Sequence, residues 1–215
     1  MIKTLIFDFG DVFINLDKEA LYIEMKKLGI HSFSKEMVEI NKLYETGIIS
    51  TSAFLDFYCK ICLNTTKTKL SEAWNSIILD FPEYRLKYIE ALATSKKYQL
   101  ILLSNTNDLH IEKVIKNMTL ERFLRFKNCF DAFYLSQEIH LRKPNSEIYN
   151  FVLDTHQINP KEILFIDDTK ENTESAKKIG IHSWNIIPKK EDIVDLFILK
   201  KDLFKLDQET NSKNT

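Results

Sequence analysis

Residues 4–12 read Thr4-Leu5-Ile6-Phe7-Asp8-Phe9-Gly10-Asp11-Val12. A short apolar run ends abruptly at a carboxylate. The same design recurs downstream: Leu100-Ile101-Leu102-Leu103 ends at Ser104-Asn105, Phe133-Tyr134-Leu135 at Ser136, and Ile163-Leu164-Phe165-Ile166 at Asp167-Asp168. A fifth run, Trp184-Asn185-Ile186-Ile187, ends at Pro188. Runs that are apolar throughout, rather than at every second position, predict strands buried on both faces, as in a parallel sheet.

Helical patterns alternate with these strands. Tyr84–Lys97, Asp108–Asn117, Pro144–His156 and Asn172–Ile179 carry apolar residues at helical spacing, the third opening on Pro and the last stopping at Gly180. Strand–helix alternation predicts an α/β, Rossmann-like doubly wound parallel sheet. Ligands of such sheets bind at the carboxyl ends of the strands, where the polar residues above stand. Roughly 90 residues separate the first strand from the second, far more than one crossover needs. Leu16–Leu28, Lys35–Tyr44, Ser50–Leu63 and Lys69–Leu79 read as helices within it, with breaks at Thr46-Gly47 and Asn64-Thr65-Thr66. The expected organisation is an α/β core of residues 1–14 and 86–206, an inserted α-helical cap of residues 15–85, and a disordered polar tail of residues 207–215.

Composition narrows the chemistry. The 215 residues carry 30 Lys+Arg against 31 Asp+Glu, a formal net charge of -1, which argues against a nucleic-acid partner. Only four glycines are present, so neither a glycine-rich dinucleotide loop, a P-loop nor a nucleophile elbow can be built. Three cysteines do not make a disulfide framework, and Cys59-x-x-Cys62 lies in an amphipathic pattern that predicts buried thiols. No apolar run is long enough to span a bilayer, and the first residues lack the pattern of a signal peptide, so a cytoplasmic location is expected.

The strand ends supply Asp8, Ser104-Asn105, Lys143 and Asp167-Asp168. Adjacent carboxylates suit a hard cation such as Mg²⁺. A lysine, a hydroxyl and free backbone N–H groups suit phosphate oxygens. A carboxylate facing that phosphate can attack it.

This constellation, in this order, resembles the haloacid dehalogenase superfamily. Asp8-Phe9-Gly10-Asp11-Val12 is similar to its first motif, Leu103-Ser104-Asn105 to its second, Arg142-Lys143-Pro144 to its third, and Phe165-Ile166-Asp167-Asp168-Thr169 with Asn172 to its fourth. The strings Leu103–Asn107, Tyr134–Gln137 and Arg142–Pro144 look especially like the bacterial α-D-glucose-1-phosphate phosphatase group. The resemblance implies a Mg²⁺-dependent phosphatase acting on a small phosphorylated metabolite, a sugar 1-phosphate being favoured. It implies that Asp8 is nucleophile and metal ligand, that the Gly10 backbone carbonyl and Asp168 are further ligands, and that Asp167 stands behind them or replaces Asp168. Ser104 and Asn105 would bind the phosphoryl group, Lys143 would offset charge and orient Asp8, and Thr106, Asn107 and Arg142 would face the substrate. The family's usual second Asp, its general acid/base, is replaced here by Gly10, and Asp11 follows one residue later. A poor leaving group without its acid typically loses ~10²–10⁴ in rate; a sugar C1 hydroxyl loses less. Two alternatives follow: a dehalogenase in which Asp8 attacks carbon, against which the acid pair argues, and a catalytically weak phosphometabolite-binding protein. His110, after the second motif, is expected on the surface at a helix N-terminus.

Overall fold

The computed structural model describes residues 1–62 and 65–204. Five parallel strands form one sheet: β1 (Thr4–Phe7), β2 (Gln99–Ser104), β3 (Ala132–Leu135), β4 (Ile163–Asp167) and β5 (His182–Asn185), in the order β3-β2-β1-β4-β5. The Rossmann-like α/β fold is as the sequence predicts. β1 is central: the chain runs from it to β2 and β3 on one side and then crosses to β4 and β5 on the other, so a crevice opens past its carboxyl end. Asp8 is the residue that follows.

Helices α1 (Lys18–Lys27), α2 (Lys35–Glu45), α3 (Thr51–Ile61), α4 (Lys67–Asn75) and α5 (Glu83–Ser95) lie between β1 and β2. α6 (Asp108–Met118) and α7 (Leu120–Lys127) follow β2. α8 (Ser136–Ile139) and α9 (Ser146–His156) follow β3, α10 (Lys170–Lys178) follows β4, and α11 (Leu196–Leu199) and α12 (Lys201–Phe204) come last.

The pleat sorts the strand residues onto two faces. Leu5, Phe7, Leu100, Leu102, Leu164 and Ile166 pack with side chains of α5, α6, α7 and α11. Ile6, Ile101, Leu103, Ile163 and Phe165 pack with α9 and α10. Both faces are covered, which is why the runs are apolar throughout. On the first face an aromatic cluster fixes the chain just beyond β1: the Phe126 ring lies 5.1 Å from Phe9, 5.0 Å from Phe13 and 5.0 Å from Phe81. Contacts of this kind add to the area that the rings bury.

α1–α4 have a core of their own, built from Met25, Tyr44, Phe54, Tyr58, Leu70 and Trp74 among others. Ser34, Ser50 and Thr66 cap α2, α3 and α4 with their hydroxyls. Two strands of chain join this bundle to the sheet: Asn15 N donates to Asp80 O and Asp17 N to Ile77 O. Arg85, 8% exposed, ties the stem to the core through Phe13 O, Asn15 Oδ1 and Asp192. The expected division at residue 85/86 therefore falls inside the first turn of α5, whose packing belongs to the sheet. Cys62 is buried and Cys59 half-buried, both as free thiols.

Three boundaries move for physical reasons. α9 starts at Ser146 rather than Pro144, because residues 142–145 form a turn closed by Asn145 N on Arg142 O, and the Lys143 N–H donates to Asn105 Oδ1 while its C=O accepts from Asn105 Nδ2. β5 runs from His182 to Asn185 rather than from Trp184 to Ile187, because its register with β4 pairs Leu164 with His182 and Asp167 with Asn185. As an edge strand it admits polar side chains that a search for apolar runs passes over. α4 ends at Asn75, short of Leu79, since residues 77–80 form the stem. The C-terminal part of the expected helix to Leu63, the break at Asn64 and the expected tail of residues 207–215 lie outside the described residues.

His110 is not a surface residue. It stacks on Trp74 at 5.8 Å, accepts from Asn107 Nδ2 at Nδ1 and donates to Trp74 O from Nε2, clamping α6 to α4. Burial pushes its pKa down from 6.5 to about 4. The unfolded chain therefore takes up a proton across that window which the folded chain does not, and stability falls as the pH drops through it. Lowering the pH from 7.5 to 5 is expected to cost about 2 kcal/mol by this route. His110→Phe removes that component, which urea unfolding at the two pH values measures.

Candidate active site

Three strand ends converge on one ammonium. Lys143 is 1% exposed, and its Nζ donates to Asp8 Oδ1 at 2.8 Å, Leu103 O at 2.7 Å and Asp167 Oδ2 at 2.7 Å. All three protons are used, on the ends of β1, β2 and β4. The two carboxylates hold the ammonium in its charged form against the penalty of burial, which pulls the other way.

The two acids after β4 have different surroundings. Asp167 is fully buried, and both its oxygens are occupied, by Lys143, Asn172 Nδ2 and Thr169 N. Asp168 faces the crevice and pairs with Lys18 Nζ at 2.5 Å. Burial raises the Asp168 carboxyl above its ordinary value, while Lys18 pulls it down. Oxygens of Asp8, Asp167 and Asp168 lie within 4.8 Å of one another. Burial pushes Asp8 up to about 7; Asp167 and Asp168 add to this and Lys143 opposes it. Three carboxylates thus face two ammonium groups, an imbalance that a further cation relieves.

Phe9 turns the chain into a tight loop. Asp11, at φ 53°, sends Oδ1 back to Leu16 N and pairs its other oxygen with Lys18. The Gly10 carbonyl accepts no hydrogen bond among the described residues. A side chain at position 10 would meet Leu16 Cδ1 at 2.8 Å from its Cβ, so Leu16 fills that space.

The crevice is a cavity of about 620 Å³ lined by Asp8, Gly10, Asn105, Arg142, Lys143 and Asp168, with Lys18, Lys42 and Glu45 from the insertion. Ser104 and Thr106 line a smaller adjoining cavity of about 160 Å³, with His110. Gly10, Leu16, Glu45 and Asn105 border both. The structure therefore gathers Asp8, Gly10, Ser104, Asn105, Thr106, Arg142, Lys143 and Asp168 around one space, with Asp167 behind them. Asn107 is the exception. It is 1% exposed and its Oδ1 caps α6 at His110 N, so it does not reach the mouth.

Lys18, Lys42 and Glu45 escaped sequence reasoning. They are charged residues at helix ends in a region whose tertiary position a single sequence does not encode. The one local signal was the helix break after Glu45.

The chain matches the model of the haloacid dehalogenase-like hydrolase family over residues 5–186, and it belongs to that family. It is 27% identical to a D-ribitol-5-phosphate phosphatase of Bacteroides thetaiotaomicron, over 86% of this chain and 91% of that one. It is 24% identical to a phosphorylated carbohydrates phosphatase of Thermotoga maritima, over 83% and 82%. Among solved structures, a magnesium complex of a family enzyme from Bacteroides thetaiotaomicron superposes with a TM-score of 0.80 at 35% identity, over 91% of this chain and 98% of that one.

Removing the shared ammonium leaves two buried carboxylates facing each other. Lys143→Met is expected to cost about 3–5 kcal/mol at neutral pH, with a smaller deficit in acid, where the carboxylates take up protons. Urea unfolding of the variant and the parent at pH 7 and pH 4 checks both statements.

Proposed function

From its place in the haloacid dehalogenase-like family, we propose that this chain is a Mg²⁺-dependent phosphatase of a phosphorylated carbohydrate that works through an aspartyl-phosphate on Asp8. The observation that carries the reading is the Lys143-centred cluster, in which the anchored Asp8 carboxylate borders a cavity lined by both acids and cations. The names of the curated relatives support the substrate class.

The donor set suits magnesium: buried carboxylate oxygens of Asp8 and Asp168 and a Gly10 carbonyl without a hydrogen bond. These three would hold the ion, with Asp167, whose oxygens are already engaged, behind them. Bound there, Mg²⁺ lowers the repulsion between a phosphate dianion and the acids and draws charge from the transferring group.

The chain's own residues do the rest. Lys143 anchors Asp8 Oδ1 and so fixes the carboxylate's orientation. Its charge also favours the ionised Asp8 that attack requires. Asp8 attacks phosphorus in line, and the alcohol oxygen leaves on the opposite side. Ser104, whose hydroxyl has no hydrogen bond among the described residues, and the Asn105 N–H hold phosphoryl oxygens at the end of β2. Arg142 and Thr106 lie where the organic part of the substrate would rest. α1–α4 serve as a cap that limits water at the site. Gly10 leaves no acid immediately beside Asp8, and the 1-phosphate of a sugar, whose more acidic leaving hydroxyl makes the least demand on a proton donor, is the proposed preferred form.

Phosphate release from sugar 1-phosphates, terminal sugar and polyol phosphates and p-nitrophenyl phosphate tests the reading. Turnover that needs Mg²⁺, disappears in EDTA, falls to background in Asp8→Asn and is fastest on 1-phosphates among the sugar esters is expected. An Asp8→Asn protein that keeps its activity would overturn it.

A further inference from the structure

The expulsion of an alcohol from phosphorus needs a proton unless the alcohol is already acidic. Nothing beside Asp8 supplies one. Gly10 has no side chain, Leu16 fills the space, and Asp11 is turned to Leu16 N and Lys18. Glu171, on the wall of the larger cavity, is exposed in the first turn of α10 and does not border the smaller one. The other ionisable groups at the two cavities are engaged. Lys143 has spent its three protons. Lys18 is paired with Asp11 and Asp168, and Lys42 with Glu39. His110 is held neutral by burial, with its single proton on Trp74 O.

Glu45 remains. It borders both cavities together with Gly10 and Asn105, and its side chain is 29% exposed. It sits at the C-terminus of α2 in the insertion, and its placement there is unusually constrained. Ser136 Oγ donates to the Glu45 carbonyl at 2.6 Å, and His140 Nδ1 donates to Thr46 O at 2.8 Å. Gly47, at φ 65°, packs so closely that a Cβ would lie 2.1 Å from Gln137 O. The turn of residues 45–47 is thus docked on α8 of the core, by two side-chain donors and by the close approach of the Gly47 backbone to Gln137 O. Arg142 Nε holds Glu45 Oε2 at 3.0 Å and leaves Oε1 with no hydrogen bond among the described residues.

We infer that Glu45, delivered from the insertion, is the general acid and base of the reaction and takes the place of the carboxylate missing at position 10. The assignment rests on the phosphatase reading above. As Asp8 forms its bond to phosphorus, the bond from phosphorus to the leaving oxygen breaks and the Glu45 proton passes to that oxygen, which departs as a neutral alcohol. Water then attacks phosphorus, Glu45 takes its proton, and the bond from phosphorus to Asp8 breaks. Phosphate is released, and both carboxyl groups return to their starting forms. Burial pushes the Glu45 carboxyl above its ordinary value, against the pull of Arg142, Lys143 and Lys42, the charged groups that face it. With this donor the enzyme also hydrolyses phosphates of ordinary primary alcohols, beyond sugar 1-phosphates.

The test is the first-turnover release of the leaving group, by rapid quench with enzyme in excess and Mg²⁺ present, for wild type and Glu45→Gln. The substrates are a terminal polyol phosphate and p-nitrophenyl phosphate. The amide keeps the size and the contact with Arg142 but has no proton to give. For the polyol phosphate a loss of ~10²–10⁴ is expected, with a far smaller loss for the aryl ester. The fall in wild-type rate on raising the pH, present because the acid must be protonated, should vanish in the variant. Equal losses on both substrates, or an alkaline limb that survives in Glu45→Gln, would overturn the assignment. Failure of wild type to release any leaving group would instead overturn the phosphatase reading, and the assignment with it.

Discussion

One ammonium group holds the site together. Lys143 lies in the interior with its three protons on Asp8, Leu103 O and Asp167, so the carboxyl ends of three neighbouring strands are tied to a single charge. A buried cation is costly alone, and two buried carboxylates are costly without it. Each makes the other tolerable. The arrangement leaves a surplus of negative charge at Asp8 and Asp168, which a further cation would balance. The aromatic cluster around Phe126 fixes the chain beyond β1, and the Asn105 amide fixes the backbone of Lys143, so that both partners of the central ion pair are positioned by packing rather than by the pair itself.

The second constraint is the attachment of α1–α4. They have their own core, yet they meet the sheet domain at several places, among them three that set the position of the bundle. The stem pairs residues 15–17 with residues 77–80, His110 stacks on Trp74, and the turn after Glu45 sits on α8. The last contact places charged side chains of the insertion on the wall of the crevice that Asp8 borders. The side chain missing at Gly10 and the carboxyl present at Glu45 are therefore two aspects of one arrangement. The space beside Asp8 is given to Leu16, and the polar chemistry is taken over by a residue that arrives from above.

Much of this was legible in the sequence, and the reasons are specific. Strands buried on both faces must be apolar throughout, so β1, β2 and β4 announced themselves, and the polar residues that stop them had to lie at the ligand-binding edge. Asp8, Ser104 and Asp168 stand at such ends, whereas Lys143, which lies beyond α8, was singled out by its resemblance to the family's third motif. β5 was misplaced by two residues because an edge strand is not forced to be apolar. Asn107 looked like a residue of the mouth, but the start of α6 needed a cap and took its side chain. His110 was read as exposed, since nothing local reveals that an indole from α4 lies over it. Glu45 was missed altogether. Its role depends on where the insertion lands, a long-range packing outcome that helical periodicity does not encode.

The central claim is that Asp8 carries the phosphoryl group. Acid quench of the enzyme during turnover of a phosphorylated carbohydrate with Mg²⁺, followed by proteolysis and mass spectrometry, tests it most directly. The account predicts a hydroxylamine-sensitive phosphoryl adduct on the peptide that contains Asp8, absent from Asp8→Asn. Phosphate release with no adduct on that peptide at any quench time, or an adduct on another residue, would contradict it.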